Sequence, residues 1–330
     1  MKCNHALNSD MARRTTLSDI SKACGVNQST VSRILNDTVG FSASSAMRQK
    51  VKRVAARLGY RPDRVARALV QGYTGVVGIL GMWPWIIDEV TIYHPLIRAC
   101  VERIQAAGLH ATMNFPHPNF GKFPTDPFPV DGALVIAPLT LADLADIEST
   151  KMPYVSIDGV CGPNGTALLF DDNAAGQLAA THLWSLGHRR IACRMPLDYS
   201  HHSVADRLAG IAQVCEPVPV TPSENLDRWL ESASALGVTG VICYSSQTAS
   251  ALKAAAVKRG MVIPSDLAIV AFNDDQYAAY ADLTVIALPS RELGDLAAGV
   301  LIDMLAERPI TNALSLQNKL IIRGSTTSVS

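Results

Sequence analysis

Wound at 100° per residue, the segment VNQSTVSRILN (residues 26–36) separates into two faces. Gln28, Ser29, Ser32, Arg33 and Asn36 fall on one, and Val31, Ile34 and Leu35 on the other. Just upstream, Thr16 with Asp19 three residues on forms the pattern of a capping box. Leu17, Ile20 and Ala23 supply that helix with an apolar stripe, and Gly25 ends it. Two short helices joined by a tight glycine-containing turn make a helix-turn-helix. A third helix is predicted from about Ser44 to Leu58, with Gly59 as its C-cap and Met47, Val51, Val54, Ala55 and Leu58 buried against the first two. Residues 15–60 are thus expected to form an all-α headpiece. Residues 1–14 read as a flexible N-terminal arm. In residues 61–72, Pro62 and Asp63 can open a helix of only two turns, which is unstable alone in water, so this stretch reads as a hinge or linker.

From Tyr73 onward the period changes. Apolar runs such as GVVGIL, HATMNF, GALVIA, YVSID, RIAC, GVICY and LAIVAF alternate with helical patterns such as IYHPLIRACVERIQAAG, AAGQLAATHLWSLG, SQTASALKAAAVKRG and LGDLAAGVLIDMLAER. This rhythm predicts doubly wound parallel sheets. The strands are too many for one modest sheet, so two similar α/β lobes are expected, with a cleft between their strand C-terminal edges. Residues 116–129, PHPNFGKFPTDPFP, carry five prolines and are expected to form an extended crossover instead of a helix.

Of the 330 residues, 48% are apolar and 18% charged, which suits a folded α/β protein with more than one core. No window approaches 18 uninterrupted apolar residues, and MKCNHALNSDMARR lacks the apolar run of a secretory signal, so the protein is expected in the cytosol, without a membrane partner. Seven cysteines, spread out and without a C-x-x-C pair, read as reduced and mostly buried thiols. The formal net charge of zero hides an asymmetry. Residues 1–75 carry 13 Lys and Arg against four Asp, a net of +9, and the remainder carries −9. A basic N-terminal module suggests a polyanionic partner.

The wide polar face of residues 26–36 fits that partner. A solvated helix usually fills such positions with Glu and Lys, whereas this one offers short hydroxyls, amides and a guanidinium, which are groups that read hydrogen-bond patterns. His201-His202, near Asp198 and Asp206, invites a metal site, but adjacent histidines on a polar loop read as solvated, and neither a metal nor a cofactor is expected. G-x-G-x-x-G, G-x-x-x-x-G-K-[ST] and G-x-S-x-G motifs are all missing, which argues against an enzyme. A solute-binding transport protein shares the two-lobed form but would carry an export signal in place of a basic headpiece.

TTLSDISKACGVNQSTVSRILN resembles the headpiece signature of the lactose-repressor (LacI/GalR) family, RPDRVARAL its hinge helix, and THLWSLGHRRIA with VIPSDLAIVAFND two landmarks of its effector domain. The resemblance implies a homodimer on a pseudo-palindromic double-stranded operator. It also implies a periplasmic-binding-protein-like effector domain over residues 73–330, with one lobe at about 73–170 and 290–312 and the other at about 171–289 and 313–330. By the same resemblance, Gln28, Ser29 and Arg33 read base edges, with Asn36 on the same face, while Ser18, Thr30 and Ser32 touch phosphates. Leu69 wedges into the central base step, and Ala66 lets two hinge helices approach. A small, carbohydrate-like effector would meet Asp158, Phe170, Arg207, Asn273 and Asp274, with Trp83 and Trp85 nearby. Ser245-Ser246 stands where relatives commonly show Asn-Asp, and Ala271-Phe272-Asn273-Asp274 where they show Gly-Phe-Asp-Asp, which leaves fewer carboxylates for the cleft.

Overall fold

The hydroxyl of Thr16 accepts from the backbone N–H of Asp19, whose carboxylate accepts in return from the Thr16 N–H, and this reciprocal pair opens the first helix. In the computed structural model, which describes residues 15–37, 40–60, 72–81, 92–115, 130–136, 140–197, 201–310 and 316–329, the chain divides into two compact units, 1–74 and 75–330. The proline-rich segment 116–129, the hinge residues Ala66 and Leu69, and Trp83 and Trp85 lie outside the described residues.

The first unit holds α1 (Leu17–Cys24), α2 (Gln28–Leu35) and α3 (Ser45–Arg57). Gly25 ends α1 at φ 67°, a left-handed conformation that glycine adopts at no steric cost. Ile20, Cys24, Val31, Ile34, Val51, Val54 and Ala55 form the core, with Leu17, Leu35 and Met47 packed on it. Two expectations need correcting. Cys24 is buried on α1 while Ala23 is exposed, because the last turn brings position 24 under the stripe begun by Leu17 and Ile20. Leu58 is exposed, since α3 ends at Arg57 and the chain turns away at Gly59, φ 63°.

The second unit contains two five-stranded sheets, as the alternating pattern requires. One has the order β2-β1-β3-β4-β5, with β1 (Val76–Gly81), β2 (His110–Asn114), β3 (Gly132–Ile136), β4 (Tyr154–Ile157) and β5 (Gly165–Leu168) all parallel. The other has the order β10-β9-β8-β7-β6, with β6 (Ile191–Arg194), β7 (Gly240–Cys243), β8 (Ala268–Phe272) and β9 (Thr284–Ala287) parallel, and β10 (Lys319–Ile321) antiparallel at its edge. Central strands β3, β4, β7 and β8 are buried along their whole length, which explains their apolar runs, interrupted in β4 by the buried Ser156. The described helices of this unit are α4 (Tyr93–Ala106), α5 (Leu141–Ser149), α6 (Asp172–Ser185), α7 (His202–Ala212), α8 (Leu226–Ala235), α9 (Ser246–Lys258), α10 (Gln276–Tyr280) and α11 (Ser290–Leu305). Helix α11 packs on α4, β3 and β4, and α6 on α7 and the β7–β9 region. The described cysteines are all free thiols; Cys24, Cys100, Cys215 and Cys243 are buried and Cys161 and Cys193 half-buried.

The THLWSLGHRRIA segment is structural. His188 bonds the Thr239 hydroxyl through Nδ1 at 3.1 Å and the Thr327 carbonyl through Nε2 at 3.0 Å, while Arg189 stacks on the Trp184 ring at 4.2 Å. Two glycines set helix spacing. A Cβ on Gly176 would fall on the carbonyl oxygen of Arg207, and one on Gly294 on that of Leu96. Gly176→Ala and Gly294→Ala are each expected to destabilise the second unit by about 1–3 kcal/mol, because a backbone obstacle yields only if α6 and α7, or α4 and α11, move apart. Denaturation followed by tryptophan fluorescence checks this, since all four tryptophans belong to residues 75–330.

Candidate functional site

In the first unit the sequence faces survive folding. Val31 and Ile34 of α2 have no solvent exposure, whereas Gln28, Ser29, Arg33 and Asn36 are exposed and Thr30 and Ser32 half-buried. Ser18, on the first turn of α1, is also half-buried. The Arg33 guanidinium lies 5.4 Å from the centre of the Phe41 ring, a contact that fixes its direction while leaving its donors open. Asn36 donates through Nδ2 to Ser32 Oγ at 3.3 Å. The basic residues around this face are not all free: Lys52 and Arg48 pair with Asp37, and Lys50 donates to the Cys24 carbonyl at the end of α1. Lys22, Arg53 and Arg57 are exposed as well. This face can form hydrogen bonds to a polyanion and to flat, edge-on donors and acceptors.

In the second unit, polar groups gather where strands end. Asp158, just after β4, and Asn273, just after β8, both adopt left-handed backbone conformations, φ 60° and 75°. Non-glycine residues held this way cluster at binding sites, where surrounding packing enforces the strain. Asp158 is buried and its Oδ2 accepts from the Tyr93 hydroxyl at 3.0 Å. His201 Nε2 lies 3.3 Å from the Asp158 carbonyl and 3.7 Å from Oδ2, and His202 Nε2 lies 3.6 Å from Oδ1. Burial, with neighbouring Asp172 adding to it, pushes the Asp158 carboxyl up to about 7, while His202, the Tyr93 hydrogen bond and Arg207 pull it down. Burial also lowers the His201 imidazole and raises the Tyr93 and Tyr244 hydroxyls.

Arg207 of α7 is 4% exposed. Its Nε donates to Asp172 Oδ1 at 2.7 Å and a terminal nitrogen to the Tyr244 carbonyl at 2.9 Å, with the guanidinium 4.6 Å from the Tyr244 ring centre and 4.3 Å from that of Phe272. Phe170 is buried in the main core. Asn273 and Asp274 line a cavity of about 360 Å³ shared with His94, Gln276, Arg291 and Glu292. Asp274 is paired with Arg323 at 2.6 Å, and Asp275 caps α10 and accepts from Ser246 Oγ. The Asn273 side-chain oxygen is buried with no partner.

The structure therefore gathers Asp158 and Arg207 into one cluster and puts Asn273 and Asp274 on a neighbouring cavity, joined to it through Phe272. The reading of His201 and His202 as solvated is overturned: their side chains are 12% and 32% exposed and their rings stack with centroids 4.4 Å apart. The N-terminal turn of α7 folds them back over Asp158. Tyr93, Asp172, Ser203 and Tyr244 were not singled out from the sequence. Tyr244 had a signal, since it directly follows a predicted strand, where α/β sheets place their binding groups.

Two family models match the chain: "Bacterial regulatory proteins, lacI family" over residues 16–63, and a "Periplasmic binding protein-like domain" over residues 180–326. Among curated proteins, the HTH-type transcriptional regulator MalR of Streptomyces coelicolor is 30% identical, over 95% of this chain and 97% of its own length. The HTH-type transcriptional regulator DegA of Bacillus subtilis is also 30% identical, over 85% and 88%. Among solved structures, the Lac repressor dimer bound to operator and the anti-inducer ONPF superposes with a TM-score of 0.78 at 22% identity, covering 96% of this chain and all of that one. The transcriptional regulator CelR in complex with cellobiose gives 0.66 at 23%, covering 95% and 100%.

Proposed function

Because the chain belongs to the lacI family of bacterial regulatory proteins, and is a transcriptional regulator, we propose that it is a repressor whose affinity for one operator sequence is set by a small polar metabolite held between two lobes. The observation that carries the DNA half is helix α2, with Val31 and Ile34 fully buried and Gln28, Ser29, Arg33 and Asn36 exposed opposite them. Arg pairs bidentately with guanine and Gln with adenine, while Ser18, Thr30 and Ser32 can donate to phosphates. In this reading a homodimer presents two such helices to a pseudo-palindrome, and Ala66 and Leu69 act where two hinge segments meet the minor groove.

The effector half rests on the strand-end polar groups. The unpartnered Asn273 oxygen, Asp274, Asp158 and the Arg207–Tyr244 stack offer the donors, acceptors and aromatic face that a hydroxylated, carbohydrate-like molecule needs. Residues 73–170 with 290–312 would form one lobe and 171–289 with 313–330 the other. Effector binding changes the angle between lobes and so biases the DNA-competent arrangement, without contact between the sites. No described helix is long and apolar enough to cross a membrane.

Selection from a random duplex library with the full chain tests the DNA half. The expected product is a single enriched pseudo-palindrome whose half-sites are centred about one helical turn apart. Recovery of unenriched sequence, with affinity that tracks salt alone, overturns it.

A further inference from the structure

We propose that Asp158, His201 and His202 form a binding site for a divalent transition metal of the zinc type, spanning the two sheets of the second unit. Asp158 follows β4 of the first sheet, and the two histidines open α7, which follows β6 of the second. One donor atom from each of the three residues lies within 4.8 Å of the others. Four-coordinate zinc with bonds of about 2.0–2.1 Å holds its donors roughly 3.3 Å apart, so shifts of a few tenths of an ångström to about 1 Å bring all three into bonding range. Two of these donors have no hydrogen-bond partner although buried: Asp158 Oδ1, on a side chain 8% exposed, and His202 Nε2, which face each other at 3.6 Å. Buried polar atoms rarely stay unsatisfied, and two aimed into one space call for an occupant.

The surrounding groups suit a metal. His201 Nδ1 accepts from the Ser203 N–H at 3.3 Å and lies 2.7 Å from Ser203 Oγ, itself 2.8 Å from the Tyr244 hydroxyl, while Nε2 faces the Asp158 carbonyl. Coordination through Nε2 exchanges that contact for the metal and moves the ring proton to Nδ1, where Ser203 Oγ accepts it. Tyr93 fixes the carboxylate through Oδ2 and leaves Oδ1 for the ion. Two imidazoles and one carboxylate select zinc-like ions over Mg²⁺ or Ca²⁺, which prefer all-oxygen shells. Three protein donors leave a fourth position for water or a polar ligand. The site stands on these three residues and does not depend on the reading of the cleft as an effector pocket.

The test titrates Co²⁺, as a spectroscopic probe, into untagged full-length protein stripped of metal, with Zn²⁺ as competitor. Expected are visible d–d absorption bands that saturate at one Co²⁺ per chain and are abolished by Zn²⁺. Asp158→Asn and His202→Gln should each weaken binding by more than the roughly 10–100-fold that loss of an outer-shell partner costs, and the control His110→Gln, on an exposed strand position, should not. Circular dichroism of each variant checks that it folds; if Asp158→Asn does not, His202→Gln, at the more exposed ligand, decides alone. Absence of the bands, or saturation unchanged in His202→Gln, overturns the proposal and leaves the gap to a bridging water.

Discussion

Replacing Arg207 by alanine is expected to destabilise the second unit by about 3–5 kcal/mol in the absence of any ligand, the usual cost of breaking a buried ion pair by removing one partner. The Asp172 side chain that would be left behind is 1% exposed, and its Oδ2 already lacks a partner. It would lose the charged donor on Oδ1 while keeping buried Asp158 as a neighbour, which adds like-charge repulsion. The Tyr244 carbonyl would lose its donor, and the rings of Tyr244 and Phe272 would lose the plate they stack on. Denaturant unfolding followed by tryptophan fluorescence measures the change. Arg207→Lys should fall between wild type and alanine, because the ammonium keeps the charge but cannot span both acceptors. A change below about 1 kcal/mol in Arg207→Ala would mean that Asp172 is relieved by water or protonation, and that the pair is not the unit's keystone. A loss of ligand affinity in Arg207→Ala is therefore no proof of ligand contact. Asn273→Ala, which removes an unpartnered oxygen, tests the cleft with less damage.

Much of the fold could be read from the chain because its strands are buried on both faces and announce themselves as apolar runs. Two of the strands that escaped are ones where that rule fails. β5 (GTAL) is half-buried at a sheet edge, and β10 (KLI) is a three-residue antiparallel edge strand. β9 (TVIA) is buried over its first three residues and no longer or shorter than β4, β6 and β7, so neither exposure nor length accounts for its omission. Helix α5 was missed although Thr140 and Asp143 form a capping box, since Ile147 is its only buried residue and so little apolar stripe marks it. The face proposed to read DNA was legible because it is local: one helix of eight residues carries both its core side and its polar side. The cleft cluster was not, because Asp158 pairs with residues 43 and 44 positions away and Tyr93 with one 65 away, and no local period encodes such a meeting. His201-His202 shows the difference. As a sequence it is a polar doublet; folded, its helix turn carries it under cover, where burial reverses the expectation of solvation.

The second large effect concerns DNA discrimination. Gln28 and Arg33 are exposed on the side of α2 opposite its buried residues, and each can make one bidentate base contact worth about 1–3 kcal/mol of discrimination. In the proposed dimer on a pseudo-palindrome each contact would occur twice, so each substitution should cost roughly 2–6 kcal/mol of specific affinity. Non-specific binding comes mostly from phosphate neutralisation, and removing neutral Gln28 leaves that term untouched. Arg33→Ala removes one charge from a unit with a net of +9 and should lower non-specific binding only modestly. The most direct test is therefore a comparison of operator, single-base operator variants and random duplex, measured at one salt concentration for the wild type, Gln28→Ala and Arg33→Ala. Expected are a large loss on the operator, a small one on random DNA, and for each variant a loss of discrimination confined to one symmetric pair of base positions. Equal loss on operator and random DNA, with discrimination unchanged at every position, would contradict it.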